Sequence, residues 1–332
     1  MSKFYLYIIA FLLILAPLQG PLNSVAAQTG NDAVFGFLNL PTTARSAALG
    51  GTHVSLYNEG TGSFQVNPSY LSSENHKELT LSYINHLYDI YLGSAAFSWH
   101  FDGLGTLGTG IRFVNYGDFI RTDSEGFEQG SFSSYDFSWD LAWSRNIFEN
   151  LRAGIGTQFI VSSYDDYRST ALAFSGGLYY SINSGLTNAA VSFRHLGFQI
   201  TEFDETREKL PFTAMAGISH RLRHLPLRFN LTLHSLERWD MPVFDDESSP
   251  GFTKNLLRHL RIGTEFLFSD NFHFRIGYDP LRGEELKTDR RIDLSGTAVG
   301  LGIIIRDINI DISRSSYSET GGLIQLNVGK RL

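Results

Sequence analysis

Apolar and polar residues alternate along most of the chain from residue 79 onward. In the segment LRFNLTLHS, the apolar residues are Leu227, Phe229, Leu231 and Leu233, and the residues between them are polar or charged. The segments FHFRIGYD and INIDIS, which begin at positions 272 and 308, repeat this pattern. A period of two places successive side chains on opposite faces of a β-strand. The pattern therefore predicts strands with one face against an apolar medium and the other against polar groups.

Fourteen segments carry this pattern. We predict strands at 79–85, 91–102, 105–117, 132–145, 151–163, 169–182, 188–196, 211–223, 227–236, 257–268, 272–280, 294–306, 308–315 and 322–332. Most have about the length that a tilted strand needs to cross a bilayer. Aromatic residues recur near the predicted strand ends, as in an interfacial girdle: Tyr83, Trp99, Phe113, Tyr116, Trp139, Trp143, Tyr179 and Tyr180.

The connections between these strands fall into two classes. Every second connection is a tight turn rich in Gly, Asn, Asp or Pro, and those between them are mostly longer, at 118–131, 197–210, 237–256 and 281–293, although 86–90 and 164–168 are short. A soluble β-sandwich also alternates. An even number of strands with short turns at one rim and long loops at the other is typical of a bacterial outer-membrane barrel. We therefore predict an all-β fold, a transmembrane antiparallel barrel of about fourteen strands.

The first residues indicate export. Lys3 is followed by the apolar run FYLYIIAFLLILAPL and, further on, by Val25, Ala26 and Ala27. This order is typical of a signal peptide, which we place at 1–27 with cleavage before Gln28. With the barrel assigned to 76–332, residues 28–75 form a separate N-terminal segment. An even strand number then places both termini in the periplasm of an outer-membrane protein.

The stretch FGFLNLPTTARSAALGGTHV, residues 35–54, does not alternate. Pro41 precedes a possible helix, Thr42 or Thr43 can cap its start, and Gly50 can end it after Leu49. Side chains of the wall alone do not fill a barrel of this size. We therefore predict that 28–75 folds into the lumen as a plug, or hatch, with a short helix, and that Arg45 meets the polar wall. A disordered periplasmic lead-in fits poorly with so many apolar residues.

Composition excludes several other classes. Removal of 1–27, which contains one lysine and no acidic residue, leaves 26 basic and 34 acidic residues, a net charge of −8. An acidic chain without a basic stripe is not expected to bind nucleic acid. The absence of cysteine excludes a lipid-modified cysteine and a disulfide framework.

No motif of enzymatic chemistry is apparent. The glycines Gly103, Gly105 and Gly108 have dinucleotide-fingerprint spacing, but an alternating strand follows instead of the helix that such a site requires. The histidines show no H-E-x-x-H or other metal-ligand spacing, and no G-x-S-x-G is present. We predict no catalytic, cofactor or metal site. A barrel enzyme assembled from distant residues remains an alternative, with these candidate histidines: His220, His234, His259 and His273.

The longest predicted loop, 237–255, combines acidic and large apolar residues. Such a loop is often only solvated, but an exposed apolar cluster frequently marks a docking surface. We take these residues as the candidate partner-binding set: Trp239, Met241, Phe244, Asp245, Asp246 and Phe252.

The non-alternating segment also carries a family resemblance. The residues concerned are Phe37-Leu38, Pro41, Ala44-Arg45, Gly50-Gly51 and Asn67-Pro68. Their order resembles the PorV/PorQ family of the type IX secretion system, whose barrels are related to the FadL fatty-acid transporter. The NYGDF segment at 115–119 and the ending KRL look closer to the PorQ branch, since PorV-like sequences tend to have Trp-Asn-Pro-Ala where this chain has VNPS at 66–69.

The resemblance implies a fourteen-stranded outer-membrane barrel of Bacteroidetes that catalyses nothing and binds no cofactor. It implies a PorZ-like surface protein as partner and, through it, PorU and PorV, in a complex that processes cargo and attaches it to lipopolysaccharide. The alternative is a FadL-type transporter of long-chain fatty acids or other hydrophobic compounds, with an apolar pocket near the plug and an opening in the wall. Charged residues expected on the lumen face favour the anchor: Arg228, Arg261, Glu265, Arg275 and Asp311.

Overall fold

Fourteen antiparallel strands form a closed barrel in which neighbours in sequence are neighbours in space and β1 pairs with β14. The structure is a computed structural model and describes residues 34–85, 90–203, 207–241, 243, 251–287, 294–316 and 322–332. The strands are β1 (Glu78–Asn85), β2 (Tyr91–Phe101), β3 (Gly105–Thr122), β4 (Glu128–Phe148), β5 (Leu151–Tyr164), β6 (Tyr167–Ile182), β7 (Thr187–Thr201), β8 (Thr213–Arg221), β9 (Leu227–Leu233), β10 (Leu260–Leu267), β11 (Phe272–Tyr278), β12 (Thr297–Ile305), β13 (Ile308–Ser316) and β14 (Gly322–Arg331). The predicted fold is confirmed.

The alternation in the sequence corresponds to the two faces of the wall. On β9, Phe229 and Leu231 are exposed on the outer face, whereas Arg228, Asn230 and Thr232 are buried in the lumen. A belt of exposed leucine, isoleucine and aromatic side chains on the outside and polar groups inside is the arrangement of a barrel in a bilayer. Closure leaves no edge strand, so the wall pairs its backbone groups internally.

Two rims result from the connections. The short-turn rim carries the ends of β1 and β14, where Glu78 pairs with Arg331. The long-loop rim lies at the opposite end of the strands. Two short helices lie at this rim. Helix α2 (Phe252–Arg258) overlaps the end of the predicted loop 237–256, and helix α3 (Pro280–Glu285) overlaps the start of the predicted loop 281–293. We found no helix in the described ranges long and apolar enough to cross a membrane.

The prediction of a loop at 118–131 was wrong. Strand β3 continues to Thr122, and β4 begins at Glu128. The two strands still pair, for example through Phe119 and Phe132, beyond Asn115, which is the last residue of β3 to pair with β2. The carboxylate of Asp123 accepts the backbone N–H groups of Glu125 and Phe127 and so closes the turn. Both faces of this ribbon lie outside the barrel proper, so its residues show no clear apolar and polar faces from which a strand could be recognised.

Residues 34–75, which we call the plug, fold inside the barrel. They comprise helix α1 (Ala44–Ala48) and four 3₁₀ turns at Gly36–Asn39, Thr61–Gln65, Pro68–Tyr70 and Ser73–Asn75. Lumen-facing side chains on opposite parts of the wall hydrogen-bond to it: Ser192 to the carbonyl of Val66 (2.7 Å) and Ser315 to that of Ala47 (3.3 Å). The predicted signal peptide, 1–27, lies outside the described residues.

Candidate functional site

Helix α1 begins and ends at residues suited to those roles. The hydroxyl of Thr43 accepts the backbone N–H of Ser46 at 3.2 Å, so Thr43 is the N-cap. Gly50 has φ +97°, and a side chain there would also overlap the backbone of Tyr278. A glycine is therefore required at position 50 both by its backbone conformation and by its contact with the wall. The predicted helix, with Thr43 of the two candidate caps, is confirmed.

Arg45 connects α1 to the wall through a bidentate ion pair. Its Nε and Nη2 atoms each lie 2.9 Å from a carboxylate oxygen of Glu265 on β10, and its Nη1 atom lies 2.8 Å from Glu59. Glu265 also accepts from Arg275 (3.2 Å), which in turn donates to Asp311 (2.5 Å). We call these five residues the Arg45 network. The prediction that Arg45 meets the polar wall is confirmed.

The electrostatics of the plug residues follow from their burial. Burial alone would lower the pKa of Arg45, but the carboxylates of Glu265 and Glu59 raise it, so the guanidinium stays charged. Burial raises the pKa of Glu59, and this effect outweighs the opposing influence of Arg45 and of the Thr43 hydroxyl. The network is centred on Glu265, since this carboxylate pairs with both Arg45 and Arg275, and each arginine has one further partner, Glu59 or Asp311.

Other charged residues predicted on the lumen face also lie there. Arg261 pairs with Asp279 at 3.0 Å, and its guanidinium packs next to Gly51. Arg228 is buried and stacks over the ring of Tyr57 at 4.8 Å. These contacts join the plug to the wall through charged side chains rather than through an apolar lining. Charged contacts of this kind were the expectation for a closed interior.

His53 lies between helix α1 and the second half of the plug, Thr61 to Asn75, and no pattern in the sequence singles it out. Its Nδ1 atom lies 2.9 Å from the Thr232 hydroxyl and its Nε2 atom 2.9 Å from the Leu49 carbonyl. Burial lowers its pKa to about 4, against the hydrogen bond to Leu49, which raises it. The imidazole is therefore neutral at pH 7.

The second half of the plug explains the Asn-Pro pair of the motif. The Asn67 side chain accepts the backbone N–H of Ser69 (3.0 Å) and donates to the carbonyl of Val54 (3.3 Å). A side chain at Gly154 would overlap the backbone of Pro68, and one at Gly177 would overlap Asn67. Asn67 and Pro68 thus fit against the wall only where the wall carries glycine.

The first residues of the described chain fill the lumen from the other end. The side chains of Phe37 and Leu38 are buried in an apolar cluster whose other members lie mainly on the wall: Phe35, Ile84, Leu92, Val114, Ile160, Ala171, Ala173, Leu210 and Leu323. Arg112 of β3 donates to the Phe37 carbonyl at 3.1 Å. Pro41 is buried next to this cluster, and its carbonyl accepts from Gln325 at 3.4 Å. All motif residues, including the fully buried Ala44, therefore lie in the lumen.

The candidate partner-binding residues separate into exposed and buried positions. Trp239 and Phe252 stack with ring centroids 5.4 Å apart and are 46% and 71% exposed. Met241 is buried, and its N–H is bonded to the side chain of Asn255, which also donates to the carbonyl of Trp239. Phe244, Asp245 and Asp246 lie outside the described residues.

A polar cluster supports this exposed pair from below. Arg258 is buried in α2 and donates to both carboxylate oxygens of Glu284 (2.8 and 2.9 Å) and to the carbonyl of Met241 (2.7 Å). Lys254 also pairs with Glu284 at 2.9 Å. The hydrogen bond from Arg258 lowers the pKa of Glu284 to about 2, so this carboxylate stays ionised and holds α2 to α3. These contacts fix the position of helix α2 and so of the exposed Trp239 and Phe252.

A second apolar surface at the same rim was missed from the sequence. The tip of the β3–β4 hairpin, residues 116–134, carries exposed Phe119, Ile120 and Phe127. Phe119 stacks on Phe132 at 5.4 Å, and Arg121 lies over that ring. The turn residues between Asp123 and Gly126 were the signal that could have revealed it.

Three of the four candidate histidines, His220, His234 and His259, make ordinary ring hydrogen bonds. His259 contacts the carbonyls of His234 and Trp239, each at 2.8 Å, and His220 contacts the hydroxyl of Thr187. Within the described ranges, no group of three or more His, Cys, Asp or Glu side chains could hold a metal ion.

Comparison with solved structures identifies the fold. The barrel is similar to the toluene transporter TbuX of Ralstonia pickettii (TM-score 0.54, 13% identity, 89% of this chain and 100% of that one). It is similar to the toluene transporter TodX of Pseudomonas putida (TM-score 0.52, 13% identity, 87% and 96%) and to a FadL homologue of Pseudomonas aeruginosa (TM-score 0.47, 10% identity, 88% and 98%).

No protein-family model matches the chain, and no curated protein matches it significantly. The chain has the barrel fold of these two toluene transporters.

Proposed function

We propose that this protein is a non-enzymatic, PorQ-like barrel of a Bacteroidetes type IX secretion system. In this proposal it lies in the outer membrane with both termini in the periplasm. It anchors a PorZ-like surface protein and, through it, PorU and PorV, next to the lipopolysaccharide to which cargo is attached. It needs no cofactor.

The observation that supports this proposal is the attachment of the plug to the wall. Arg45, one of the residues that carry the family resemblance, is bound to Glu265 on β10 and to Glu59 within the plug. Buried ion pairs are costly to separate because each partner would be left as an unpaired charge. A plug held in this way favours a closed barrel that serves as a support over one that opens for solutes.

The long-loop rim supplies the partner surface of this proposal. Trp239 and Phe252 are large, exposed and held in place by buried Asn255 and Arg258. Rigid aromatic side chains of this kind are enriched among the residues that dominate binding energy. The acidic residues Asp245 and Asp246 belong to the same proposed surface.

FadL-type transport of a hydrophobic compound is the second candidate. The similarity of the fold to two toluene transporters favours it. So does the apolar cluster of the lumen, in which Phe37 and Leu38 occupy space that a hydrophobic ligand of similar size could fill.

A pull-down with matched variants tests the anchor. Tagged protein from detergent-solubilised outer membranes of the native host is analysed by mass spectrometry beside the double variant Trp239→Ala, Phe252→Ala. The variant leaves the supporting Asn255 and Arg258 in place. The control is Phe229→Ala, which removes an exposed aromatic ring from the membrane-facing belt.

The anchor predicts that a large surface protein is recovered with the wild type and the control and is lost with the double variant. Recovery of the barrel alone contradicts the anchor. Extraction of a fatty acid or another hydrophobic compound from the purified barrel would favour transport. Recovery of the partner with the double variant would support the anchor function but would show that Trp239 and Phe252 are not its contact. The double variant Phe119→Ser, Ile120→Ser then tests whether the partner binds the β3–β4 hairpin tip.

A further inference from the structure

A groove of about 950 Å³ lies on the outer face of the wall, near the short-turn rim. Two paired rows of outward side chains form it. Trp99, Leu107, Trp143 and Ile155 face each other across β2 to β5, nearest the rim. The next row is Phe97, Thr109, Leu141, Thr157 and Phe174. The small Thr109 and Thr157 are the floor, and the aromatic and aliphatic residues are the walls.

Two of the three tryptophans of this region, Trp139 and Trp143, donate their indole N–H groups to the wall. The indole nitrogen of Trp143 donates to the carbonyl of Leu104 at 3.0 Å. The indole nitrogen of Trp139, on the same outer face, donates to the hydroxyl of Thr109 at 3.1 Å. This hydrogen bond also gives the polar atom of Thr109, in the floor of the groove, a partner. The indole rings of Trp139 and Trp143 are therefore fixed, and the lining of the groove is mainly apolar. A hydrocarbon chain suits such a lining.

Two cations lie at the end of the groove nearest the rim. Lys77 has its ammonium 4.9 Å from the centre of the Trp99 ring. Arg145 is exposed beside Trp143 and Ile155, in a smaller depression that shares both side chains with the groove. Lys77 directly precedes β1 and Arg145 lies on β4, so the two cations lie on opposite sides of this end of the groove. Neither makes an ion pair with a carboxylate of the described residues.

We propose that this groove is a binding site for one anionic glycerophospholipid. The acyl chains lie across Thr109 and Thr157, and the phosphate lies between Lys77 and Arg145. The arrangement of the groove matches such a lipid. Its apolar part lies within the membrane-facing belt, where acyl chains lie, and its cations lie at the level where the headgroups begin. This site is independent of the proposed anchor function.

Native mass spectrometry of the whole barrel in detergent tests the site. The purified protein is titrated with phosphatidylglycerol or with zwitterionic phosphatidylcholine of the same acyl chains. The variant Lys77→Asn, Arg145→Gln removes both cations, and asparagine suits the positive φ of position 77. The control Arg223→Gln removes an exposed cation at the same rim, in the β8–β9 turn. Unchanged heat-dependent mobility in SDS gels shows that each variant is folded.

We expect one phosphatidylglycerol per barrel, bound about tenfold more tightly than phosphatidylcholine. The double variant loses that preference, and Arg223→Gln keeps it. Thr157→Phe, which fills the floor, weakens both lipids. Equal binding of the two lipids, an unchanged preference in the double variant, or an equal loss in Arg223→Gln would overturn the proposal. If the double variant does not fold, Arg145→Gln alone decides, with about half of the logarithmic loss expected.

Discussion

The two halves of the plug are held against the wall in different ways. Helix α1 packs closely, with Leu49 against Gly277, and is held in addition by charge, through the pairing of Arg45 with Glu265. The second half, from Thr61 to Asn75, makes no ion pair with the wall within the described ranges and depends on close packing, with Pro68 against Gly154 and Asn67 against Gly177. A charge contact fails when one partner is removed, whereas a close contact fails when volume is added. The two halves should therefore respond to different substitutions and separately to pH.

The absence of cysteine allows each half to be monitored by itself. Ala48→Cys in α1 and Val66→Cys in the second half introduce single thiols at positions that are 0% and 2% exposed. The rate at which a soluble maleimide labels each thiol reports how often that half leaves the lumen. A change of 1.4 kcal/mol in the opening free energy changes this rate about tenfold.

Glu265→Gln should have the largest effect. The substitution keeps the shape of the side chain but removes the carboxylate that Arg45 and Arg275 share, so that only Glu59 and Asp311 remain to pair with them. Breaking a buried ion pair in this way costs about 3–5 kcal/mol. We expect labelling at position 48 to accelerate about a hundredfold or more, and labelling at position 66 to change less. Glu74→Gln, at an exposed position of the plug, is the control. Equal acceleration at both positions would show that the plug opens as one unit.

Acidification should come next. The pKa of folded His53 is about 4 and its ordinary value is 6.5. Between these values the displaced, solvated imidazole binds a proton that the buried one does not, so the plug loses stability as the pH falls from 6.5 to 4. The difference corresponds to about 3 kcal/mol. His53→Gln should flatten the pH dependence of labelling at position 48. A slope that is the same in wild type and variant would contradict this assignment.

Gly177→Val should affect the other half by a smaller amount. The new side chain overlaps Asn67, and such overpacking typically costs about 1–3 kcal/mol. Labelling at position 66 should accelerate more than labelling at position 48, the reverse of the Glu265→Gln result. Gly93→Val is the matched control, because a side chain at Gly93 of β2 meets nothing within 4 Å. A greater effect at position 48 would mean that the halves are not held independently.

Thr43→Ala should have the smallest effect. It removes the cap of α1 and the hydrogen bond of 2.8 Å to Glu59, at a cost of about 1 kcal/mol. Labelling at position 48 should rise several-fold, and Thr43→Ser, which keeps the hydroxyl, should restore the wild-type rate. Failure of serine to restore it would place the effect in the lost methyl group rather than in the cap.

Much of the wall could be predicted from the sequence. The period of two marks β9 and β11 clearly because one face meets apolar surroundings and the other the lumen. The same rule failed at the β3–β4 hairpin tip, where both faces lie outside the barrel and Phe119 and Phe132 stabilise each other across the ribbon. Alternation of apolar and polar residues therefore identifies a strand only where one face of the strand meets apolar surroundings and the other meets polar surroundings.

The candidate site was predictable only in part. The cap could be narrowed to Thr42 or Thr43, and Gly50 could be assigned, because a cap and a left-handed residue are local requirements of a short helix. Nothing local separates the exposed Trp239 from the buried Met241, because that difference depends on Asn255 and on helix α2.

The sequence by itself determined a barrel of about fourteen strands, the face that residues occupy where the strands alternate, and the presence of a capped helix in the plug. These follow from side-chain periodicity and from backbone preferences over a few residues. Only the tertiary structure decided that Arg45 pairs with Glu265, 220 positions away, and that Pro68 rests on Gly154. Closure of the barrel fixes the register of every strand at once, and that register selects which distant side chains meet in the lumen.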